Sequence, residues 1–125
     1  PLRETHDIEA ALRQMMDAGA DAVVSICRAE TTHPIFMYHK NADDRLTSYD
    51  SGPPGTLRRQ DLAPVFFLEG TLYASKIETL LEKHSFCHEN TVGYEVPKWK
   101  SPEVDDIVDF LLIEAILRHR GDGCQ

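Results

Sequence analysis

The stretch Thr5-His-Asp-Ile-Glu-Ala-Ala-Leu-Arg-Gln-Met-Met-Asp-Ala-Gly-Ala-Asp-Ala-Val-Val-Ser-Ile-Cys27 decides the fold class. Ile8, Leu12, Met15 and Met16 recur every three to four residues, the repeat of one face of an amphipathic helix. Thr5 can cap that helix, and Gly19 offers its stop because glycine accepts the left-handed conformation that ends helices. Ala22-Val-Val-Ser-Ile-Cys27 follows as a short, largely apolar run rich in β-formers, the composition of a strand covered on both faces. A helix leading directly into a buried strand is the grammar of an α/β sheet.

Further along, the character changes between residues 33 and 64. Asn41-Ala-Asp-Asp44 marks a turn, and Ser51-Gly-Pro-Pro-Gly55 a loop that can continue neither a helix nor a central strand. Short strands are expected at about 35–38 and 45–49, forming a hairpin that is either a partner surface or simply solvated. Ala63-Pro-Val-Phe-Phe-Leu68 resumes the apolar pattern, Gly70 interrupts it, and Thr71-Leu-Tyr-Ala74 reads as a second strand portion. The glycine permits close approach of backbone or ligand. A helix is expected around residues 77–83 and a strand around 94–96. The strongest helix spans 105–120, with Val108, Leu111, Leu112, Ala115 and Ile116 on a broad apolar face. Arg118, His119 and Arg120 suit its negative end.

With 125 residues and 42% apolar composition, the chain can bury one ordinary core, and nothing in it suggests two independent domains. No apolar run approaches the roughly 20 residues of a membrane-spanning helix, and the first residues have no signal-peptide pattern, so the expectation is a cytoplasmic protein with no membrane partner. The formal charge of -8 disfavours a nucleic-acid partner, which needs concentrated Lys and Arg. Cysteines 27, 87 and 124 form no C-x-x-C pair, so neither a disulfide framework nor a thiolate zinc site is indicated. His84 and His88 have the spacing of a helical zinc pair, but Lys83-His-Ser-Phe-Cys-His-Glu-Asn90 reads as a helix end running into a loop, which favours no ligation. His33, beside Pro34, is read as shaping a loop or strand.

Ser101-Pro-Glu-Val-Asp-Asp-Ile-Val-Asp-Phe110 places Glu103, Asp105, Asp106 and Asp109 at the mouth of the last helix. If the segment before the helix is extended, Glu103 and Asp105 point to one face and can hold a hard cation. Acidic residues in a first turn also complement the helix dipole, so spacing alone leaves both readings open. No glycine-rich strand-turn-helix able to cradle phosphates occurs, and the cluster Gly52-Pro-Pro-Gly55 is too proline-rich to present a row of N–H donors. The chain reads as the later part of a larger α/β domain.

Taken in order, Pro1-Leu-Arg-Glu-Thr-His-Asp-Ile8, Arg58-Arg-Gln-Asp-Leu62, Glu69-Gly-Thr-Leu-Tyr73 and Glu103-Val-Asp-Asp-Ile-Val-Asp-Phe110 resemble the second half of acylneuraminate cytidylyltransferases. This is the CMP-sialic acid synthetase family, which includes enzymes for sialic-acid-like nonulosonic acids. The resemblance covers nearly the whole chain. It implies a Rossmann-like nucleotide-diphospho-sugar transferase fold, partial and lacking the amino-terminal nucleotide-binding β-loop-α unit. Residues 1–125 would then be the carboxy-terminal part of a single cytidylyltransferase domain. The implied reaction is attack of the sugar's anomeric hydroxyl on the α-phosphate of CTP, with Mg2+ as cofactor, giving the CMP-sugar and pyrophosphate.

The resemblance also implies roles for particular residues. The family's metal-binding Asp-x-Asp falls on Glu103 and Asp105, with Asp105 the firmer ligand because Glu103 has the longer reach; Asp106 and Asp109 are left to the helix start. The Arg-Gln-x-Leu motif matches Arg59-Gln60-Asp61-Leu62, so Arg59, with Gln60 beside it, would bind the sugar acid's carboxylate across a homodimer. Arg59 and Asp105 would be the catalytic residues, and 33–64 a dimerisation arm. The family's Asn-Gly-x-x-Tyr falls on Glu69 to Tyr73, which places Glu69 and Tyr73 at the sugar pocket, and Phe86 near the sugar's acyl substituents. Glu69 in place of asparagine would repel a nearby carboxylate, and Cys87 replaces a second aromatic. These departures make a legionaminic- or pseudaminic-type sugar as reasonable as N-acetylneuraminate. Without the family's phosphate-binding half, the 125 residues are expected to show no appreciable activity alone. The reading from a different class is a non-catalytic oligomerisation or binding module built on the same fold.

Overall fold

The computed structural model describes residues 2–49 and 62–122. In chain order it contains α1 (Thr5–Asp17), β1 (Ala22–Arg28), β2 (Tyr38–Lys40), β3 (Leu46–Ser48), β4 (Phe66–Ser75), α2 (Ile77–Lys83), β5 (Thr91–Glu95) and α3 (Ile107–Asp122). Two compact units divide the chain, one formed by Pro1–Cys27 with Phe67–Gln125 and the other by Arg28–Phe66.

The first unit is built on a sheet of order β4-β1-β5. β1 and β5 run parallel, in a register from Ala22 opposite Thr91 to Ile26 opposite Glu95. β4 runs the other way, since Leu72 N–H bonds the Ser25 hydroxyl at 2.8 Å while Lys76 N–H bonds the Asp21 carbonyl at 2.8 Å. The sheet is therefore mixed, and the chain is α/β as its opening helix and strand foretell. β1 is buried along almost its whole length, the condition that its apolar run requires. Gly93 on β5 leaves room for Ile26, whose Cδ1 lies 2.5 Å from where a Cβ at 93 would stand.

α1 starts from Glu4, one residue before the expected cap, and Glu4 N–H bonds Asp7 Oδ2 at 2.9 Å. It ends as expected at Gly19, which has φ +62°, with Gly19 N–H bonding Met16 O and Ala20 N–H bonding Met15 O. That pair of bonds is the Schellman closure for which glycine is suited. α1 packs on β5, and Ala11, Val23 and Leu72 form the core with Met15, Ala74, Val92 and Tyr94 against it.

The two expected strand portions of residues 63–74 are one strand, β4, with Gly70 at φ +75° within it. Glu69 and Leu72 are both buried although three residues apart. Strict alternation would bury residues two or four apart, so one extra residue has been inserted, as in a β-bulge. Ser25 compensates for the disturbed ladder: its hydroxyl takes the Leu72 N–H and donates to the Leu72 carbonyl at 3.3 Å.

α3 differs from expectation in which residue it buries. Ile113 is 5% exposed, whereas Val108, Leu111 and Leu112 are each about half exposed or more. The helix is apolar around much of its circumference rather than along one stripe. Near its end Arg120 lies over the Trp99 ring, 3.5 Å from the centroid.

In the second unit, the strand expected at 35–38 is instead a 3-10 turn, Pro34–Phe36, with proline at its start where a missing N–H costs nothing. His33 caps this turn: its Nδ1 accepts from Ile35 N–H at 3.2 Å and its Nε2 lies 3.2 Å from the Ala63 carbonyl. The expected hairpin is present, displaced by a few residues, with Tyr38 opposite Ser48 and Lys40 opposite Leu46. Its turn is the expected Asn41–Asp44 segment, where Asp44 adopts φ +64°.

Candidate functional site

Two groups of carboxylates stand at helix mouths in the first unit. At α1, Glu4, His6 and Asp7 bring potential ligand atoms within 4.8 Å of one another, the one group of three found among the described residues. A cation of the chain already sits there. Lys100 Nζ lies 2.8 and 2.7 Å from the two Asp7 oxygens and 2.5 Å from Glu4 Oε2, and Lys100 and Asp7 are both buried. Tyr94 adds its hydroxyl to Asp7 at 3.2 Å. Burial pushes the Asp7 carboxyl up, but the bonds from Lys100, Glu4 N–H and Tyr94 outweigh it and leave Asp7 below the usual carboxylate range. Burial likewise pulls Lys100 down, and Asp7 with Glu4 reverse the sign to a net rise. Burial and Asp7 both raise the Tyr94 phenol. This cluster is an internal ion pair.

The group before α3 is arranged differently. Asp106 Oδ1 accepts from Val108 N–H at 2.7 Å and Asp109 N–H at 3.1 Å, while Asp109 Oδ2 accepts from Asp105 N–H at 3.1 Å and Asp106 N–H at 3.2 Å. Asp106 and Asp109 thus satisfy the orphan N–H groups of the first turn reciprocally, in the manner of a capping box. The side chains of Glu103 and Asp105 take no part in that cap. Both are exposed in the irregular segment ahead of α3, and among the described residues neither has an ion-pair partner.

Glu103 is located by Gly70. Its Oε1 occupies the space that a Cβ at position 70 would need, so the bare Cα of the bulge accommodates this carboxylate. The glycine read as permitting close approach serves a side chain 33 positions away. Arg3, Gly70, Thr71 and Glu103 line an open cleft there, and Arg3 Nη1 donates to the Thr71 carbonyl at 2.7 Å. Glu69 is turned inward and is 1% exposed. Its Oε1 accepts from Thr71 N–H at 3.2 Å and its Oε2 from the Thr71 hydroxyl at 2.5 Å, which pins the turn around Gly70. Tyr73 is partly exposed and meets Phe86, ring centroids 5.6 Å apart at 57°. Two aromatics 13 residues apart in sequence therefore form one surface pair.

Arg59 and Gln60 lie outside the described residues. His84 terminates α2 in the left-handed conformation, so it shares no helical face with His88. Cys27 and Cys87 are free thiols, the first buried and the second exposed. Arg3 and Lys100 are additions to the residues foreseen from sequence; Arg3 stands inside the first quoted motif, yet nothing in its spacing sets it apart. Glu103 lines the cleft and Asp105 stands two residues on, both exposed; carboxylates are the hard oxygen donors that Mg2+ takes one or two of, with water or phosphate in its other positions.

Fold and site together define an α/β chain with a mixed sheet and two exposed carboxylates ahead of its last helix. No family model matches the chain. In sequence it is 32% identical over 111 residues to an N-acylneuraminate cytidylyltransferase of Streptococcus agalactiae serotype V. It is 31% identical over 113 residues to N-acylneuraminate cytidylyltransferases of serotypes III and Ia of that species. Each match covers 89% of this chain and 26% of the relative, so the chain spans about a quarter of the length of the curated relatives it matches. The resemblance carried by the four motifs is borne out over most of the chain. Among the described residues, no helix is long and apolar enough to cross a membrane.

Proposed function

We propose that this chain is the metal- and sugar-facing part of a cytidylyltransferase that moves CMP from CTP to a sialic-acid-like nonulosonic acid and releases pyrophosphate. The observation that carries the reading is the similarity to N-acylneuraminate cytidylyltransferases along 89% of the chain. The mixed sheet with its parallel β1–β5 pair is compatible with a Rossmann-like domain whose phosphate-binding unit these residues do not include. Glu103 and Asp105 hold Mg2+ in this reading. When bound, that ion screens charge on the phosphates and orients the leaving pyrophosphate. The Tyr73–Phe86 pair supplies an aromatic wall for the sugar's substituents. Glu69 serves that pocket indirectly: with both oxygens engaged by Thr71, its charge is directed into the turn rather than toward a bound carboxylate. Arg59 and Gln60 bind the sugar acid's carboxylate, and the hairpin unit serves a homodimer. The 125 residues are inactive by themselves, and the protein acts in the cytoplasm.

The test is release of pyrophosphate from CTP by the full polypeptide with Mg2+ and a nonulosonic acid, against the Asp105→Ala variant. Loss of an outer-shell partner of a metal typically costs 10–100-fold, so loss of a ligand is expected to lower the rate by more than about a hundredfold. Unchanged turnover in Asp105→Ala refutes the metal assignment. No turnover in the unaltered polypeptide with any nonulosonic acid refutes the reading itself.

A further inference from the structure

In a chain with 21 acidic and 13 basic residues, most described cations are already matched. Lys40 pairs with Asp44, Lys76 with Asp21, Lys83 with Glu89, Lys100 with Asp7 and Arg118 with Glu114. Arg3 is an exception: its one bond among the described residues goes to a neutral acceptor, the Thr71 carbonyl. Glu103, which lines the same cleft, is a carboxylate that also lacks a cation partner among the described residues. Both line one cleft, yet no ion pair joins them. Each is held by a different contact with the β4 bulge, Arg3 by Thr71 O and Glu103 by the bare Cα of Gly70.

Two opposite charges that face one cleft without neutralising one another are complementary to a ligand that carries both signs. A divalent cation with its bound oxyanion is such a ligand. One guanidinium N–H is committed to Thr71, and the remaining donors still offer the planar fork that suits phosphate and carboxylate. We propose that Arg3 is an anion-binding residue of this site, and that the cleft takes a metal-bound oxyanion, with the cation on the Glu103 side and the phosphate or carboxylate on Arg3. The proposal rests on the cytidylyltransferase reading and adds to it a residue outside the metal and arginine motifs.

The experiment is calorimetric titration of the full polypeptide, unaltered and as Arg3→Gln and Arg3→Lys, with two probes, inorganic pyrophosphate and N-acetylneuraminate, each with and without Mg2+. A hydrogen bond to a charged group is worth about tenfold or more in affinity. Arg3→Gln is therefore expected to weaken one probe by about tenfold or more in the presence of Mg2+. Glutamine can still donate to Thr71 O, so the melting temperature stays close to that of the unaltered protein. Arg3→Lys restores charge without the fork and recovers part of the loss. Selective loss for pyrophosphate identifies the oxyanion as phosphate, and selective loss for the sugar acid identifies it as carboxylate. Unaltered affinity for both probes in both variants overturns the inference, and if CTP turnover persists the broader reading survives it. A loss equally large without Mg2+ overturns the metal-bound half of the proposal. An unaltered protein that binds neither probe overturns it whole.

Discussion

At the start of α1, Glu4 and Asp7 close around the buried ammonium of Lys100, whereas ahead of α3 the side chains of Glu103 and Asp105 stand exposed with no cation partner among the described residues. By ligand geometry the first group is the better metal candidate, since three donor atoms converge within 4.8 Å. By chemistry it is the worse one, because a metal would have to displace an ammonium that is buried and bonded to both carboxylates. The second group forms no such trio among the described residues, but two of its four carboxylates are engaged in neither the helix cap nor an ion pair there. Convergence of acidic atoms therefore says less about function than whether a resident charge already satisfies them. Desolvation sharpens the contrast: Lys100 and Asp7 compensate each other away from water.

The largest effect is expected from breaking the closed cluster with Lys100→Met. Removing one partner of a buried pair leaves the other as an uncompensated charge, at a cost of about 3 kcal/mol or more, a large part of an ordinary domain's stability. The pH dependence should weaken as well. In the unaltered protein Asp7 is held below its ordinary value near 4 and Lys100 above its ordinary value near 10.4. The Asp7 contribution is therefore complete above about pH 4 and is lost as falling pH passes its depressed folded value. The Lys100 contribution is complete below about pH 10.4 and is lost as rising pH passes its raised folded value. Between those limits stability is level in pH as far as this pair is concerned. Without Lys100, only the Glu4 N–H and Tyr94 bonds oppose burial at Asp7, so its folded value rises toward the ordinary one and the variant loses less stability than the parent on acidification from pH 7 to about 3. Urea unfolding midpoints at the two pH values measure this, and a variant as stable as the parent at pH 7 would show that the cluster is not what closes α1 onto the segment that carries Lys100.

A smaller effect follows from Gly70→Ala, which acts on the open cluster. The φ of +75° disfavours any residue with a Cβ, and Glu103 Oε1 occupies the place that the Cβ would take. Backbone strain of this kind costs of order 1–3 kcal/mol, and the carboxylate must also move. Both a lower melting temperature and a weaker Mn2+ affinity, read by electron paramagnetic resonance of the full polypeptide, are expected. Lost stability with intact Mn2+ affinity would separate Glu103 from the metal and leave Asp105 as the ligand.

These contrasts were only partly legible in the sequence. α1, Gly19 and β1 could be read because their signals are local, a three-to-four spacing, a glycine and an apolar run. α2 was legible for the same reason, and so was the hairpin turn at Asn41–Asp44. The start of β2 was misplaced because Pro34 draws its neighbours into a 3-10 turn, and the burial of Ile113 rather than Val108 and Leu112 depends on packing that helical periodicity alone does not specify. Glu69 reads as pocket-facing by its place in a motif, but the bulge at Gly70 shifts the alternation and turns it inward. The Lys100–Asp7 pair joins positions 93 apart, a distance across which no periodicity reports. Of the site, the separation of Glu103 and Asp105 from Asp106 and Asp109 was within reach, because Asp-x-x-Asp before an apolar helix is a capping pattern. The anchoring of Glu103 on Gly70 and of Arg3 on Thr71 required the fold.

The smallest expected effect tests that separation directly. Asp106→Ala removes the side chain that accepts the Val108 and Asp109 N–H groups, and loss of such a cap costs about 1 kcal/mol. The reciprocal half of the box, Asp109 Oδ2 with the N–H groups of Asp105 and Asp106, survives the substitution, so α3 should fray at its first turn rather than unfold. If capping and metal binding are distinct employments of neighbouring carboxylates, Mn2+ affinity in Asp106→Ala stays within about twofold of the unaltered protein while the melting temperature falls by a few degrees. The reverse outcome, an unchanged melting temperature with affinity reduced tenfold, would place Asp106 among the ligands and merge what the geometry divides. Because the cap also fixes the backbone of Asp105 through its N–H, a moderate fall in both quantities would mean that the helix mouth positions the metal ligand, and the contrast with α1 would then be one of accessibility rather than of role.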